Sequence, residues 1–294
     1  MKKVESGTRN VNAGATGSEA PESRLAGAAA FFAALLLPVA VCAQDTKSQA
    51  PAPPPGAVDA GENENETTEA ESDDWLPGEV TGSVALTSNY VDRGLTNSSN
   101  DPAIQGSLDY AVPTGIGDTK GYVGFWSSSV DLEGDNSTAH VEIDAMFGLR
   151  GEVGDFGWDV GGTYLYYPGT RSADNFNYWE IPVVLTYQAT EQLGLEVVNI
   201  FAWENQFDTG LANYVTGNVY YDIPVPYVGL QLFTGVGYQY IEDDYNGIDW
   251  RLGATVTVKG VDLSVAYTDT NYRARDIGNN QGDAKVVFAV GMDF

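Results

Sequence analysis

The chain has 294 residues, and its 41 acidic residues against 14 lysines and arginines give a formal net charge of −27. A protein this acidic repels the phosphates of nucleic acid, so we expect it to bind none. Its one cysteine, Cys42, stands in a segment with the features of an export signal, so disulfides, thiolate metal sites and cysteine nucleophiles are excluded from the exported chain.

Residues 1–43 have the order of parts that a secretory signal peptide needs. Basic residues come first, and an uncharged apolar run follows at residues 25–41. The small side chain of Ala43 suits cleavage before Gln44. The sequence therefore predicts a signal peptide over residues 1–43. A lipoprotein anchored through Cys42 is the less favoured alternative, because Val41 is a poor residue before such a cysteine.

Residues 44–77 change composition abruptly, first to proline and then to glutamate and aspartate, with no aromatic residue before Trp75. Such a segment cannot bury enough apolar surface to offset the entropy lost on ordering. We predict a disordered periplasmic linker that acts as a spacer. A tail that binds a partner is the alternative.

Residues 78–294 show apolar and polar side chains in alternation over twelve successive segments. The clearest segment places Ile143 and Phe147 on one face and Glu142 and Asp144 on the other. Cations at such alternate positions would cost about 2–4 kcal/mol each against lipid, so we expect the charged face to line a lumen. The predicted fold class is all-β, an antiparallel transmembrane up-and-down barrel of about 12 strands. A secreted β-sandwich is the alternative.

The connections between these segments alternate in length. Longer polar stretches such as 91–102 and 168–177 alternate with tight turns such as Lys259-Gly260. We expect the short turns in the periplasm and the long loops outside. Aromatic residues near the segment ends fit the girdles of a membrane barrel: Tyr90, Tyr110, Trp158, Trp203 and Tyr240.

The last segment carries four large apolar residues on one face, namely Phe288, Val290, Met292 and Phe294. The residues between them are small or polar, as the interior face of a barrel strand requires. This strand resembles the terminal strand of bacterial outer-membrane barrels, where it is the signal read by the insertion machinery. We expect it to pair with the first segment and close the barrel. The expected location is the outer membrane of a Gram-negative bacterium, in contact with its lipid.

Residues 88–96, SNYVDRGLT, and residues 101–106, DPAIQG, resemble the TorF-like porins, a proteobacterial family of unknown substrate. The resemblance continues at residues 122–128 (YVGFWSS), 142–144 (EID) and 166–168 (YYP), and it thins out in the C-terminal half. It implies an outer-membrane barrel with a pore. It assigns no catalytic or ligand-binding residue to this chain.

We therefore predict a porin-like protein that lets small hydrophilic solutes or ions diffuse passively, with a mild preference for cations and without a cofactor. The expected pore-lining residues are Arg93, His140, Glu142, Asp144, Arg150, Glu180, Asp222, Asp249 and Arg251. For Arg93 the simpler interpretation is a solvated loop residue. The alternative hypothesis is that it folds back over the lumen and pairs with Glu142 or Asp144.

Two other classes of function stay open. A barrel of about 12 strands can be plugged by its own tyrosine and phenylalanine side chains, which would make it a non-conducting structural or binding protein. An outer-membrane hydrolase would need His140, the one histidine, beside Ser107 or Ser129 and Glu142. We favour it least, because no nucleophile motif surrounds a serine. The acidic loops lack EF-hand spacing, so we predict no metal site.

Overall fold

The computed structural model describes residues 77–132, 139–171, 175–244, 246–272 and 281–294. The predicted signal peptide and the predicted linker up to residue 76 lie outside the described residues. In the part of the chain that is described, no helix is long and apolar enough to cross a membrane.

The described residues form fourteen β-strands. In chain order they are β1 (Glu79–Thr87), β2 (Val91–Asp92), β3 (Leu95–Thr96), β4 (Ala103–Pro113), β5 (Lys120–Ser129), β6 (Val141–Val153), β7 (Phe156–Tyr166), β8 (Tyr178–Gln188), β9 (Leu193–Ala202), β10 (Ala212–Asp222), β11 (Gly229–Ile241), β12 (Gly247–Val258), β13 (Val261–Thr270) and β14 (Lys285–Asp293). The two short strands β2 and β3 pair only with each other, as a separate two-stranded sheet.

The other twelve strands form one closed antiparallel barrel. Each pairs with its neighbours along the chain, and β1 pairs with both β4 and β14. The register of the closing pair sets Val84 beside Met292 and Leu86 beside Val290. The prediction of an up-and-down barrel of 12 strands, closed by its first and last strands, is confirmed.

The two-residue period separates an apolar outer face from a buried inner face. On β6, Phe147 is 53% exposed, whereas Glu142 and Asp144 are 2% and 1% exposed on the other side of the strand. On β14, Phe288 is 60% exposed and Val287 is completely buried. The outer surface is thus a broad apolar belt, which would cause aggregation in water. Because a closed barrel satisfies its own backbone in lipid, this is a multi-pass barrel of the outer membrane.

The connections alternate in length as predicted. At the end that we call the short-turn end, tight turns such as Lys259-Gly260 between β12 and β13 join the strands. At the opposite end, called the long-loop end, the connections are mostly longer, as between β1 and β4 or between β9 and β10. β1 begins and β14 ends at the short-turn end. Strands with this arrangement place both ends of the barrel on one side of the membrane.

Strand β5 differs from the other segments in its inner face. Val123 and Phe125 point outward and are 55% and 59% exposed, while Tyr122 and Trp126 point inward and are each 6% exposed. Both faces are therefore apolar, which explains why the sequence showed no decisive alternation there.

Candidate functional site: the barrel lumen

The connection from β1 to β4 enters the barrel. Beyond Thr87, whose hydroxyl donates to the carbonyl of Asn89 at 2.8 Å, the chain turns inward. Strands β2 and β3 then form a small hairpin over residues 91–96, which we call the inner hairpin. Val91 in this hairpin packs against Val287 of the inner wall, and both are completely buried.

This inward turn overturns one expectation about Tyr90. It does not belong to an outer aromatic girdle but lies inside the barrel, where it is 2% exposed. Its hydroxyl donates to Glu142 Oε1 at 3.1 Å. Burial, together with the negative charge of Glu142, holds the pKa of Tyr90 well above its ordinary value, so this hydroxyl keeps its proton.

Arg93 stands at the tip of the inner hairpin and contacts the far wall of the barrel. Its Nη2 donates to Glu180 Oε1 at 2.7 Å, and its Nη1 donates to Gln239 Oε1 at 3.3 Å. The guanidinium carbon lies 5.0 Å from the centroid of the Tyr214 ring, within range of a cation–π interaction. Burial acts to lower the pKa of Arg93, but the charges of Glu180 and Asp92 outweigh it and hold that pKa well above its ordinary value. The tip is therefore a permanent positive charge.

The hypothesis that Arg93 folds back over the lumen gives the correct position of this side chain but the wrong ion-pair partners. Among the described residues its ion pairs are with Glu180 and Asp92, not with Glu142 or Asp144. The hairpin is long enough to carry Arg93 across the lumen to Glu180 on β8. Glu142 is already bonded to Tyr90, which precedes the hairpin. Glu142 Oε2 and Asp144 Oδ1 are buried without a hydrogen-bond partner.

Aromatic side chains fill the half of the lumen nearest the long-loop end. Tyr90 packs edge-on against Trp126, with ring centroids 5.6 Å apart. Tyr167 contacts Phe176 at 6.1 Å, and Phe176 in turn contacts Phe207 at 4.7 Å. The buried cluster joins the β1–β4 connection, β5 and the β7–β8 connection. Phe207 of the β9–β10 connection covers its edge and is itself 53% exposed. The buried cluster gives this half of the barrel a packed core.

The half nearest the short-turn end is more polar. Arg150 on β6 bonds to Asp109 Oδ1 at 2.5 Å and lies 4.9 Å above the ring of Tyr122. The Tyr122 hydroxyl donates to Asp159 Oδ1 at 2.9 Å. Both charged groups of the Arg150 pair keep about a seventh of their side-chain surface exposed, at 14% and 16%. Water therefore reaches this part of the wall.

The opposite wall carries a second arginine network. Arg251 on β12 donates to Asn218 Oδ1 at 2.7 Å, and Asn218 Nδ2 donates to Glu196 Oε1 at 2.8 Å. Nearer the long-loop end, the Tyr214 hydroxyl donates to Asp249 Oδ1 at 3.1 Å. Together with the Arg150 pair, these contacts put ionised groups on both sides of the lumen.

The predicted site residues fall into three groups. The structure brings Arg93, Glu142, Asp144 and Glu180 together beside the inner hairpin. Arg150, Asp249 and Arg251 lie on the inner faces of β6 and β12, and Asp222 lies at the short-turn end, where Gln231 donates to it at 2.9 Å. His140 is the exception: it precedes β6 and is exposed, so the structure does not place it on the inner face of a strand.

Sequence reasoning missed several inner residues that hold these groups. Asp109, Asp159 and Glu196 carry charge into the lumen, and Tyr214 and Gln239 contact Arg93. Asp109 was recognisable, since it alternates with Leu108 on a clear segment. Asp159 and Glu196 lie on β7 and β9, where glycines and mixed faces blur the two-residue period.

The residues considered for hydrolysis are engaged elsewhere. The Ser107 hydroxyl shares a 2.7 Å hydrogen bond with that of Ser83, and the Ser129 hydroxyl accepts from the backbone nitrogen of Ile104. Glu142 accepts from Tyr90, and His140 is exposed outside the strand. The geometry of the described residues does not assemble a serine, a histidine and an acid. Nor do three acidic, histidine or cysteine side chains of this part of the chain converge as a metal site.

The chain is similar to several solved membrane proteins. An outer membrane channel from Pseudomonas putida F1 is 14% identical with a TM-score of 0.46, over 74% of this chain and 96% of that one. The KdgM porin in complex with disordered oligogalacturonate is 8% identical, with a TM-score of 0.44 over 74% and 98%. LpxR from Salmonella typhimurium is 10% identical, with a TM-score of 0.40 over 73% and 99%.

No curated protein matches the sequence. A family model does match, and its description is "Bacterial protein of unknown function (Gcw_chp)". The match runs from residue 69 to residue 294 and so covers the whole barrel. This chain belongs to the Gcw_chp family of bacterial proteins.

Proposed function

We propose that the protein is a narrow outer-membrane channel, through which small hydrophilic solutes or ions diffuse passively past the inner hairpin. The observation that carries the proposal is the water-accessible polar wall on β1 and β4. Ser83, Gln105 and Ser107 point inward there with small or uncharged polar groups and stay partly exposed. The resemblance of residues 88–96 to the TorF-like porins supports the same function and that finer family assignment.

The lumen should prefer cations mildly. Inward carboxylates, among them Glu196 and Asp222, outnumber the inward arginines Arg93, Arg150 and Arg251. Fixed negative charges on a low-dielectric wall raise the local concentration of cations and exclude anions. The positive charges of the arginines partly cancel the negative charges of the carboxylates, so the preference for cations is modest. No cofactor takes part in diffusion of this kind.

Single-channel recording from the purified protein in a planar bilayer, under a KCl gradient, tests both parts of the proposal. We expect discrete current steps and a reversal potential displaced toward that of K⁺. Equal permeability to K⁺ and Cl⁻ would contradict the cation preference. A correctly folded barrel that never conducts would contradict the channel itself.

That last outcome would favour a second function, a closed barrel that serves as a structural or binding protein. The observation behind it is the filling of the lumen: Tyr90, Val91 and Phe233 are each at most 2% exposed inside the barrel. The two functions differ in one physical respect, which is whether the inner hairpin leaves a continuous aqueous path.

A further inference from the structure

We propose that the chamber around the Arg93 guanidinium is a binding site for a small organic cation, a guanidinium or primary ammonium group, and that Arg93 occupies it as a built-in competitor. We call this site the guanidinium chamber and define it by Glu180, Gln239 and Tyr214. The inference rests on the proposed function, because a solute reaches the chamber through the lumen.

The three wall residues supply complementary contacts for an organic cation. Glu180 provides a carboxylate oxygen at 2.7 Å from the guanidinium, and Gln239 provides an amide oxygen at 3.3 Å. The ring of Tyr214 covers the flat face at 5.0 Å. A carboxylate, a neutral acceptor and an aromatic face form the set that recognises guanidinium and ammonium groups in preference to a hydrated metal ion.

The surroundings hold three further acidic side chains, those of Glu142, Asp144 and Asp249. Glu142 Oε2 and Asp144 Oδ1 are buried without partners, and Asp144 interacts electrostatically with Arg93. Asp249 lies beside the hairpin, since a methyl group added to Gly94 would meet its Cβ at 2.9 Å. Buried acceptor oxygens without a donor favour the entry of a group rich in N–H donors, such as a guanidinium or an ammonium.

Arg93 lies on a short hairpin inside the lumen, whereas the other two arginines described below belong to the barrel wall. Arg150 and Arg251 belong to β6 and β12, whose backbones are fixed in the barrel wall. Arg93 belongs to the inner hairpin, which has only two residues in each strand. Its φ of 48° is a left-handed conformation that is unfavourable for an ordinary residue. The hairpin has little backbone pairing of its own, so the guanidinium contacts act together with the packing of Val91 on Val287 to hold it.

Removal of the Arg93 side chain should convert a self-occupied chamber into a vacant one. In Arg93→Ala we expect methylguanidinium to bind at least about ten-fold more tightly than in the unmodified protein, because it no longer competes with a tethered guanidinium. Arg93→Lys should show no such gain, because the lysine keeps a tethered cation there. Arg93→Ala combined with Glu180→Gln should lose the gain, since the main anionic contact is gone.

The experiment is calorimetric titration of the full chain in detergent with methylguanidinium chloride, against NaCl at equal ionic strength. Arg93→Gln serves as a second vacant-site variant if Arg93→Ala does not fold. The proposal is overturned if the vacant-site variants bind no more tightly than the unmodified protein or than the Glu180→Gln double variant.

This titration does not depend on conduction. If Arg93→Ala binds methylguanidinium in a barrel that carries no current, the proposed binding site is supported and the proposed channel is contradicted. If the barrel conducts but its vacant-site variants bind no methylguanidinium, the proposed channel is supported and the proposed binding site is contradicted. The two proposals therefore fail separately.

Discussion

The aromatic ring of Phe294 lies over Gly82 on the outer face of the barrel, and the backbones of the two residues are bonded in both directions. Phe294 N donates to Gly82 O at 3.0 Å, and Gly82 N donates to Phe294 O at 2.9 Å. A Cβ at position 82 would stand 2.8 Å from the ring and 2.9 Å from the carbonyl oxygen of Ser107. The absence of a side chain on Gly82 thus permits the seam between β1, β4 and β14 to close.

Gly82→Ala should weaken this seam. The added methyl group meets both the ring and a backbone oxygen, so we expect the free energy of unfolding to fall by about 1–3 kcal/mol, as overpacking does elsewhere. Denaturant unfolding in lipid vesicles measures the change. Gly217→Ala is the matched control, since Gly217 also faces outward from a strand but a Cβ there would meet nothing within 4 Å. Equal stability of the two variants would contradict the role given to Gly82.

Gly94 holds the inner hairpin against the barrel wall, and its replacement should change conduction. Its φ is +80°, and a Cβ would lie 2.8 Å from Cβ of Thr270 and 2.9 Å from Cβ of Asp249. Gly94→Ala should therefore displace the hairpin and raise the single-channel conductance. Gly260→Ala is the control: it has the same φ of +80° and the same backbone strain, but its Cβ would be free of contacts. A similar conductance in both variants would show that the hairpin does not limit the current.

The barrel strands could be predicted because their two faces meet different media. On β6 the outer residues are apolar and the inner residues Glu142, Asp144 and Arg150 are charged, so the two-residue period is visible in the sequence. The period fails on β5, because its inner residues Tyr122 and Trp126 are aromatic: Trp126 packs against Tyr90, and Tyr122 lies under Arg150. An inner face that is made of aromatic side chains carries no polar signal in the sequence.

The inner hairpin could not be predicted for a different reason. The sequence favours an exposed polar loop over residues 91–102, with an inward fold of Arg93 as the alternative, and the actual inward path depends on distant partners. Val91 meets Val287, and Arg93 meets Glu180 and Gln239, each far away in the sequence. A local pattern contains no information about such contacts. The charge of Arg93 and the positive φ of Gly94 were recognisable, but the partner on β8 was not.

The hydroxyl of Tyr90 should be important for stability. It donates to Glu142 Oε1 at 3.1 Å, and the other carboxylate oxygen of Glu142 is already buried without a partner. Tyr90→Phe removes this donor while it keeps the ring contact with Trp126, so we expect the free energy of unfolding to fall by about 1–3 kcal/mol. Tyr227→Phe is the control, because Tyr227 is fully exposed in a turn. A loss confined to Tyr90→Phe supports the buried hydrogen bond, and equal effects would contradict it.

The pair between Arg150 and Asp109 should stabilise the barrel more than the exposed pair at the same end. The side chains of Arg150 and Asp109 are 14% and 16% exposed, and the arginine also covers Tyr122. Those of Lys120 and Glu79, joined at 3.0 Å, are 44% and 60% exposed. A double-mutant cycle on Arg150→Ala and Asp109→Asn should give a coupling energy of about 2 kcal/mol, because the pair is partly removed from water.

The same cycle on Lys120→Ala and Glu79→Gln should give about 0–1 kcal/mol, and 0.5 M salt should reduce it further. Both cycles use equilibrium unfolding in vesicles of one lipid composition, so that the two coupling energies are measured in the same membrane. Equal coupling energies would mean that water reaches Arg150 as freely as it reaches Lys120. In that case the lumen near the short-turn end would be a wide aqueous vestibule, and its charges would act on passing ions only through a screened field.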